Sequence, residues 1–232
     1  DIKMKHEIIL INWACIFLML VGMLMIIFMR KKIDYVPKKF YNLSFYALLI
    51  STSLYIIKAV FMTIHPSRSF YMIIIYLDWL IITPMLINIL GSIGMYYDHK
   101  NKKLVLSIIF VYLIMTISFI TSNNTTGFTN GITLVISCVF FIINFWLIWG
   151  PLENIASLQG CYEYKLYKLL ALFTTIIWIG YPALWGIGPR VLDIIDHKLY
   201  IYFRIIIPTI YKLGFIFIAL HGVKKVNKIK QH

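Results

Sequence analysis

Seven long apolar runs constrain this chain more than any other feature. They lie at residues 7–29, 40–62, 69–96, 104–121, 130–150, 166–187 and 199–223. Each approaches or exceeds the roughly 20 helical residues needed to cross a hydrocarbon layer. Inside lipid every backbone N–H and C=O has to be bonded within the protein, so such runs fold as helices. The expected fold is therefore all-α, a seven-transmembrane helix bundle, with residues 1–232 forming one domain and short loops between spans. The first run is too long for the apolar core of a cleavable signal and reads as the first span. Composition agrees: 61% of residues are hydrophobic and 13% charged, and the mean hydropathy is +0.84. A soluble domain is about half apolar and about a quarter charged.

The formal net charge of +13 raises the question of nucleic acid, but its distribution gives a different answer. Assigned to alternate sides of the seven runs, fourteen Lys and Arg fall on one side: Arg30, Lys31, Lys32, Lys38, Lys39, Lys100, Lys102, Lys103, Lys165, Lys168, Lys224, Lys225, Lys228 and Lys230. Lys3, Lys5, Arg68, Arg190 and Lys198 fall on the other. Excess positive charge marks the cytoplasmic face, which puts the N-terminus outside and the C-terminus in the cytoplasm of a multi-pass cell-membrane protein. The partner implied is the lipid bilayer, with anionic headgroups at the basic face, and no nucleic acid. Cys15 and Cys138 lie in apolar runs and Cys161 in a polar one. Their spacing fits no metal site, and they read as buried free thiols.

Away from the first and last three residues of each run, four charged residues remain: Lys58, Asp78, Arg204 and Lys212. A charge at the centre of a membrane helix costs at least about 2.5–3.5 kcal/mol, so such groups pair, face the bundle interior or reach for the surface. Lys58 and Arg204 lie near the ends of their spans and are expected to snorkel. Lys212 sits about thirteen residues into the last span, and Asp78 about ten into the third. One amine and one carboxylate at matching depth make either a plain ion pair or a functional site. A bare buried pair stabilises weakly, because desolvation offsets most of the attraction, and function is the default reading.

The residues around this pair carry a resemblance. The third span contains Tyr76-Leu77-Asp78-Trp79-Leu80-Ile81-Ile82-Thr83-Pro84, the sixth Trp178-Ile179-Gly180-Tyr181-Pro182-Ala183-Leu184-Trp185, and the seventh Lys212-Leu213-Gly214-Phe215. The second opens with Lys38-Lys39-Phe40-Tyr41. In order and spacing these resemble the motifs of the microbial rhodopsins along essentially the whole chain. The resemblance implies all-trans retinal bound covalently to Lys212 as a Schiff base, with Asp78 as its counterion. It also implies a pocket built from Trp79, Thr83, Leu86, Trp178, Tyr181, Pro182, Trp185 and Pro208, with Thr83 bonding across helices. Residues 178, 181, 182 and 185 follow i, i+3, i+4, i+7 spacing and share a helix face, which gives a flat-ringed molecule its wall. A homo-oligomer, a trimer, is implied as well.

The departures from the family pattern are informative. Ile75 stands where the family has an arginine, Ile82 where it has a threonine, and Ile89 where an outward proton pump has its cytoplasmic donor. Arg190 and Tyr200 replace release carboxylates, and Pro208 replaces a second counterion. An outward pump is not expected. Pro208 is similar to the xenorhodopsins and to the sensory rhodopsins with soluble transducers. The loss of the arginine favours the xenorhodopsins, whose members pump protons inward under light. Ala219 occupies the place of the usual cytoplasmic acceptor. His221, nine residues beyond Lys212 and about 13 Å along the helix axis, is the nearest titratable substitute, with Glu153 and Glu163 behind it. The expected function is thus a light-driven inward proton pump and not an enzyme, its cargo protons. The alternatives are a sensor that signals through the basic stretch Lys224–Lys228, or a light-gated ion channel.

Overall fold

A computed structural model describes residues 2–32, 36–64, 68–97, 101–189 and 192–229. The long helices are α1 (Ile2–Lys32), α2 (Lys38–Ile64), α3 (Arg68–Gly94), α4 (Lys102–Asn124), α5 (Gly127–Leu147), α7 (Cys161–Ile187) and α8 (His197–Ile229). A π-helical turn, Ile148–Leu152, and the short α6 (Glu153–Ser157) extend α5. Among the described residues seven helices are long and apolar enough to cross a membrane. With its family relationship, described below, this makes the chain a multi-pass membrane protein. α7 and α8 are the sixth and seventh spans of the sequence reading.

Successive helices pack as neighbours, and α8 closes the ring against α1 and α7. α3 is the most enclosed, touching α2, α4, α6, α7 and α8. Large apolar side chains such as Phe17, Leu106, Phe110 and Ile142 point outward and stay exposed, as a lipid-facing surface requires. The end of the bundle where α1 begins is called the N-terminal end here, and the opposite one the lysine-rich end.

Four prolines lie inside helices: Pro84, Pro151, Pro182 and Pro208. Pro151 lacks the N–H that an α-helical ladder needs, and the chain passes through the π turn at that point. Tyr167 of α7 donates to the Ile148 carbonyl of this turn at 2.5 Å. It reaches that position across Gly94, where a Cβ would lie 3.1 Å from the Tyr167 ring. Pro84 and Pro208 sit inside α3 and α8. One residue beyond the carbonyl that Pro208 leaves without its usual donor, the Ile205 carbonyl accepts from Thr209 Oγ1 at 3.1 Å and from Tyr55 Oη at 3.4 Å. At the lysine-rich end, Tyr96 Oη donates to Asn227 Oδ1 at 2.7 Å and ties the turn after α3 to α8.

Two expectations are corrected. Lys58 does not snorkel: it is 1% exposed and lies inside the bundle. Its position is within a lysine's reach of the helix end, but the rotation of α2 points it inward. Of the cysteines, Cys15 is buried as expected, whereas Cys138 and Cys161 are exposed.

Candidate functional site

The inner face of α2 repeats at helical spacing, with Tyr41, Ser44, Leu48, Ser51, Tyr55 and Lys58 all buried. α3 runs antiparallel beside it, and Tyr71, Ile75 and Asp78 form its matching stripe. α8 brings Lys212 to the level of Ser51 and Asp78. The lysine Nζ lies 2.6 Å from Asp78 Oδ2 and donates to Ser51 Oγ at 2.5 Å. Ser51 Oγ in turn donates to Asp78 Oδ1 at 2.6 Å. Amine, hydroxyl and carboxylate therefore close a triangle in which both oxygens of Asp78 are engaged. All three residues are at most 3% exposed. A pair so placed is held by short charge-assisted bonds, and its two charges are paired rather than left bare in a medium of low dielectric. Tyr55 completes one wall, its ring centroid 4.6 Å from Lys212 Nζ.

A layer of rings lies beside the triangle. Trp79 packs on Tyr181 at 5.5 Å and on Tyr76 at 6.0 Å between centroids. Trp178 packs on Tyr112 at 5.4 Å and on Phe145 at 6.1 Å. Tyr112 Oη donates to the Trp79 carbonyl at 3.1 Å, joining α4 to α3 across this layer. Tyr211, the residue before Lys212, donates to Thr174 Oγ1 at 3.5 Å.

Of the residues read from the sequence, Lys212 and Asp78 meet directly, and Thr83, Leu86, Trp178 and Pro208 are buried. Trp79, Tyr181 and Trp185 are partly buried, and Pro182 is exposed. His221 is exposed too, beside a surface cleft formed with Leu166, Leu169, Gly222, Lys224 and Lys225. Glu163 is 2% exposed and accepts from Tyr97 Oη at 2.7 Å, so it is the carboxylate that lies inside the bundle at the lysine-rich end. Glu153 accepts from Tyr164 Oη at 2.8 Å. Ser51, Tyr55 and Tyr112 were not foreseen. The one signal for the first two was their common i, i+4 face on α2.

The donor set fits retinal. A deeply buried primary amine is available for covalent attachment, a carboxylate beside it balances a positive nitrogen, and flat rings line the adjacent space. Trp79 Nε1 is buried without a hydrogen-bond partner, an orphaned donor on that wall. Lys212 would hold the group, with Asp78 and Ser51 fixing its nitrogen.

A family model described as bacteriorhodopsin-like protein matches residues 6–226. A halorhodopsin of Halorubrum sodomense is 26% identical over 123 residues, 52% of this chain and 42% of that protein. Sensory rhodopsin-2 of Natronomonas pharaonis is 24% identical over 145 residues, 62% of this chain and 59% of that protein. The matches thus span about half the length of these curated relatives. Among solved structures, the thermophilic rhodopsin from Rubrobacter xylanophilus superposes with a TM-score of 0.80 at 21% identity, covering 97% of this chain and 100% of that one. An inward H+ pump, xenorhodopsin, gives 0.78 at 20% identity over 93% and 92%. Both are likenesses of fold.

Proposed function

From the premise that this chain belongs to the bacteriorhodopsin-like family, established by the match over residues 6–226, we propose that it binds all-trans retinal on Lys212 and pumps protons inward under light. When bound, retinal supplies light absorption and the isomerisation that reorients the Lys212 nitrogen. The chain's own residues set the direction. Asp78 is the counterion, and the observation that carries the reading is its double engagement, by Lys212 at Oδ2 and by Ser51 at Oδ1. A carboxylate held at both oxygens is fixed beside the nitrogen it balances. Pro208, buried on α8, leaves Asp78 as the one buried carboxylate beside the amine among the described residues.

An outward route also lacks its parts. Ile75, Ile82 and Ile89 are all buried, so between residues 75 and 89 α3 offers no carboxylate or basic side chain other than Asp78 through which to pass a proton outward. Toward the lysine-rich end the α2 stripe continues with Ser44 and Tyr41, whose hydroxyls are buried without partners, after a break at Leu48. We place proton release along that stripe, toward Glu163 in the interior or His221 at the surface, and reprotonation from the N-terminal end. With that end outside, each inward proton is favoured by about 2.3 kcal/mol per 100 mV of a potential negative inside. Illumination of expressing cells in unbuffered medium tests this. Alkalinisation of the medium that a protonophore abolishes is expected; acidification or an unchanged pH overturns it.

A sensor is the second reading, favoured by the apolar packing of Leu48, Leu90, Ile93, Ala219 and Leu220 between Lys212 and the lysine-rich end. In that case the pigment cycles slowly and the medium pH does not move.

A further inference from the structure

The N-terminal half of the bundle holds more positive charge than its carboxylates neutralise. The Lys58 ammonium lies against ring faces, 3.7 Å from the Tyr55 centroid and 5.5 Å from that of Tyr71. Among the described residues no ion pair or hydrogen bond reaches it. A ring face returns only a fraction of what burying an ammonium costs. Arg204 of α8 approaches the same turn of α3 from another side: its Nη2 contacts Met72 Sδ at 3.6 Å, and its guanidinium lies 5.6 Å from the Tyr200 ring. Neither neighbour supplies a negative charge. Tyr71, next to Met72, has a buried hydroxyl without a partner.

Among the described residues no acid is placed to balance these cations. Asp78 is engaged at both oxygens by Lys212 and Ser51. Glu7 is held by Lys198 and Tyr202, and Asp193 and Asp196 are exposed between α7 and α8. Glu153 and Glu163 lie at the lysine-rich end, to which the loop residues Asp34 and Asp98 also belong by sequence, and Asp1 lies outside the described residues. With Lys58, Arg204 and Lys212 all protonated against Asp78, the described interior and its rim would carry two uncompensated positive charges.

We propose that Lys58, Arg204 and Tyr71 form a binding site for one small monovalent anion of the chloride class. The Lys58 ammonium is the principal charge, the Tyr71 hydroxyl a hydrogen-bond donor and the Arg204 guanidinium the second charge nearer the bundle end. The site lies about two helical turns from Asp78 along α3, and it is separate from the Lys212–Asp78 pair, where a carboxylate already fills the anionic position. It asks for a small ion because tightly packed helices enclose Lys58, and for a single charge because one anion plus the exposed rim at Arg204 restores balance.

The test uses the purified full chain in detergent without retinal, so it stands apart from the pigment reading. Chloride is titrated at constant ionic strength with gluconate as the replacement, and the 35Cl NMR line width is followed. The expected result is excess broadening that bromide displaces and gluconate does not. Lys58→Met removes it, Tyr71→Phe weakens chloride binding several-fold, and Lys58→Arg, which keeps the charge and guards against a folding artefact, retains it. An absence of broadening in the unaltered chain, as a neutral Lys58 would give, overturns the site. So does broadening that persists in folded Lys58→Met. A chain that binds chloride but forms no pigment would defeat the retinal reading and leave this one intact.

Discussion

Toward the N-terminal end, Lys212 is surrounded by Asp78, Ser51, Tyr55, Lys58 and Tyr71; toward the lysine-rich end, it is followed by Leu48, Leu90, Ile93, Phe215, Ile216, Ala219 and Leu220. One half of the bundle concentrates buried charge. The other holds no buried charged side chain among the described residues until Glu163, and its polar exceptions are hydroxyls, the Asn144 amide and the Tyr96–Asn227 bond. Charge in the first half is stabilised by pairing. Packing does that work in the second. A proton at Lys212 therefore sits at a boundary, with fixed charges on one side and a nearly apolar barrier on the other, and moving it across the barrier is the step that needs an external energy source.

The comparison is broken most completely at its centre. Lys212→Ala removes the attachment point, and no coloured pigment is expected on adding retinal, read by visible absorption; colour surviving this change would defeat the retinal assignment. Asp78→Asn comes next. It leaves the Lys212 ammonium buried beside a neutral amide, and losing one partner of a buried pair costs about 3–5 kcal/mol. Denaturation of the retinal-free protein in micelles measures it, and a loss below about 1 kcal/mol would show that the pair is not charged in the folded state. Leu48→Ala opens the barrier between Ser44 and Ser51. The cavity term survives although lipid rather than water surrounds the bundle, so a loss of about 3 kcal/mol is expected, with faster light-driven proton movement in cells.

The two halves can also be compared through a single residue type. Ser51 and Ser44 lie on the same face of α2 about two turns apart, both wholly buried. Ser51 bonds both charges of the site, so Ser51→Ala should cost about 2 kcal/mol. Ser44 has no partner, and Ser44→Ala should cost less than about 0.5 kcal/mol, because no bond is lost. Equal effects in the same denaturation experiment would remove the distinction between the halves.

The fold was legible because a membrane span writes itself into about twenty consecutive residues, and the seven runs match the seven long helices to within a few residues at most ends. Lys212 and Asp78 were legible for the opposite reason, as charges where none belongs. Ser51, Tyr55 and Tyr112 were not, since serine and tyrosine are ordinary in such helices and only the rotation and pairing of α2, α3, α4 and α8 single them out. Lys58 misled for the same reason: its distance from the helix end is visible in sequence, and its azimuth is not. The π turn had Pro151 as its sole trace. In the sequence, the proposed direction of proton movement rests on Pro208 and on three isoleucines, residues with no chemistry of their own.

Pro208 has a mechanical consequence. A helix missing one rung behaves as two stiff rods joined at a soft point, and this joint lies four residues from Lys212. The rod before it is moored to α1 through the Lys198–Glu7–Tyr202 contact, and the rod after it is moored to the turn after α3 through Asn227. Strain generated at Lys212 can bend α8 at the joint while both moorings stay fast. The bundle is thereby able to flex at its centre and keep its two rims still.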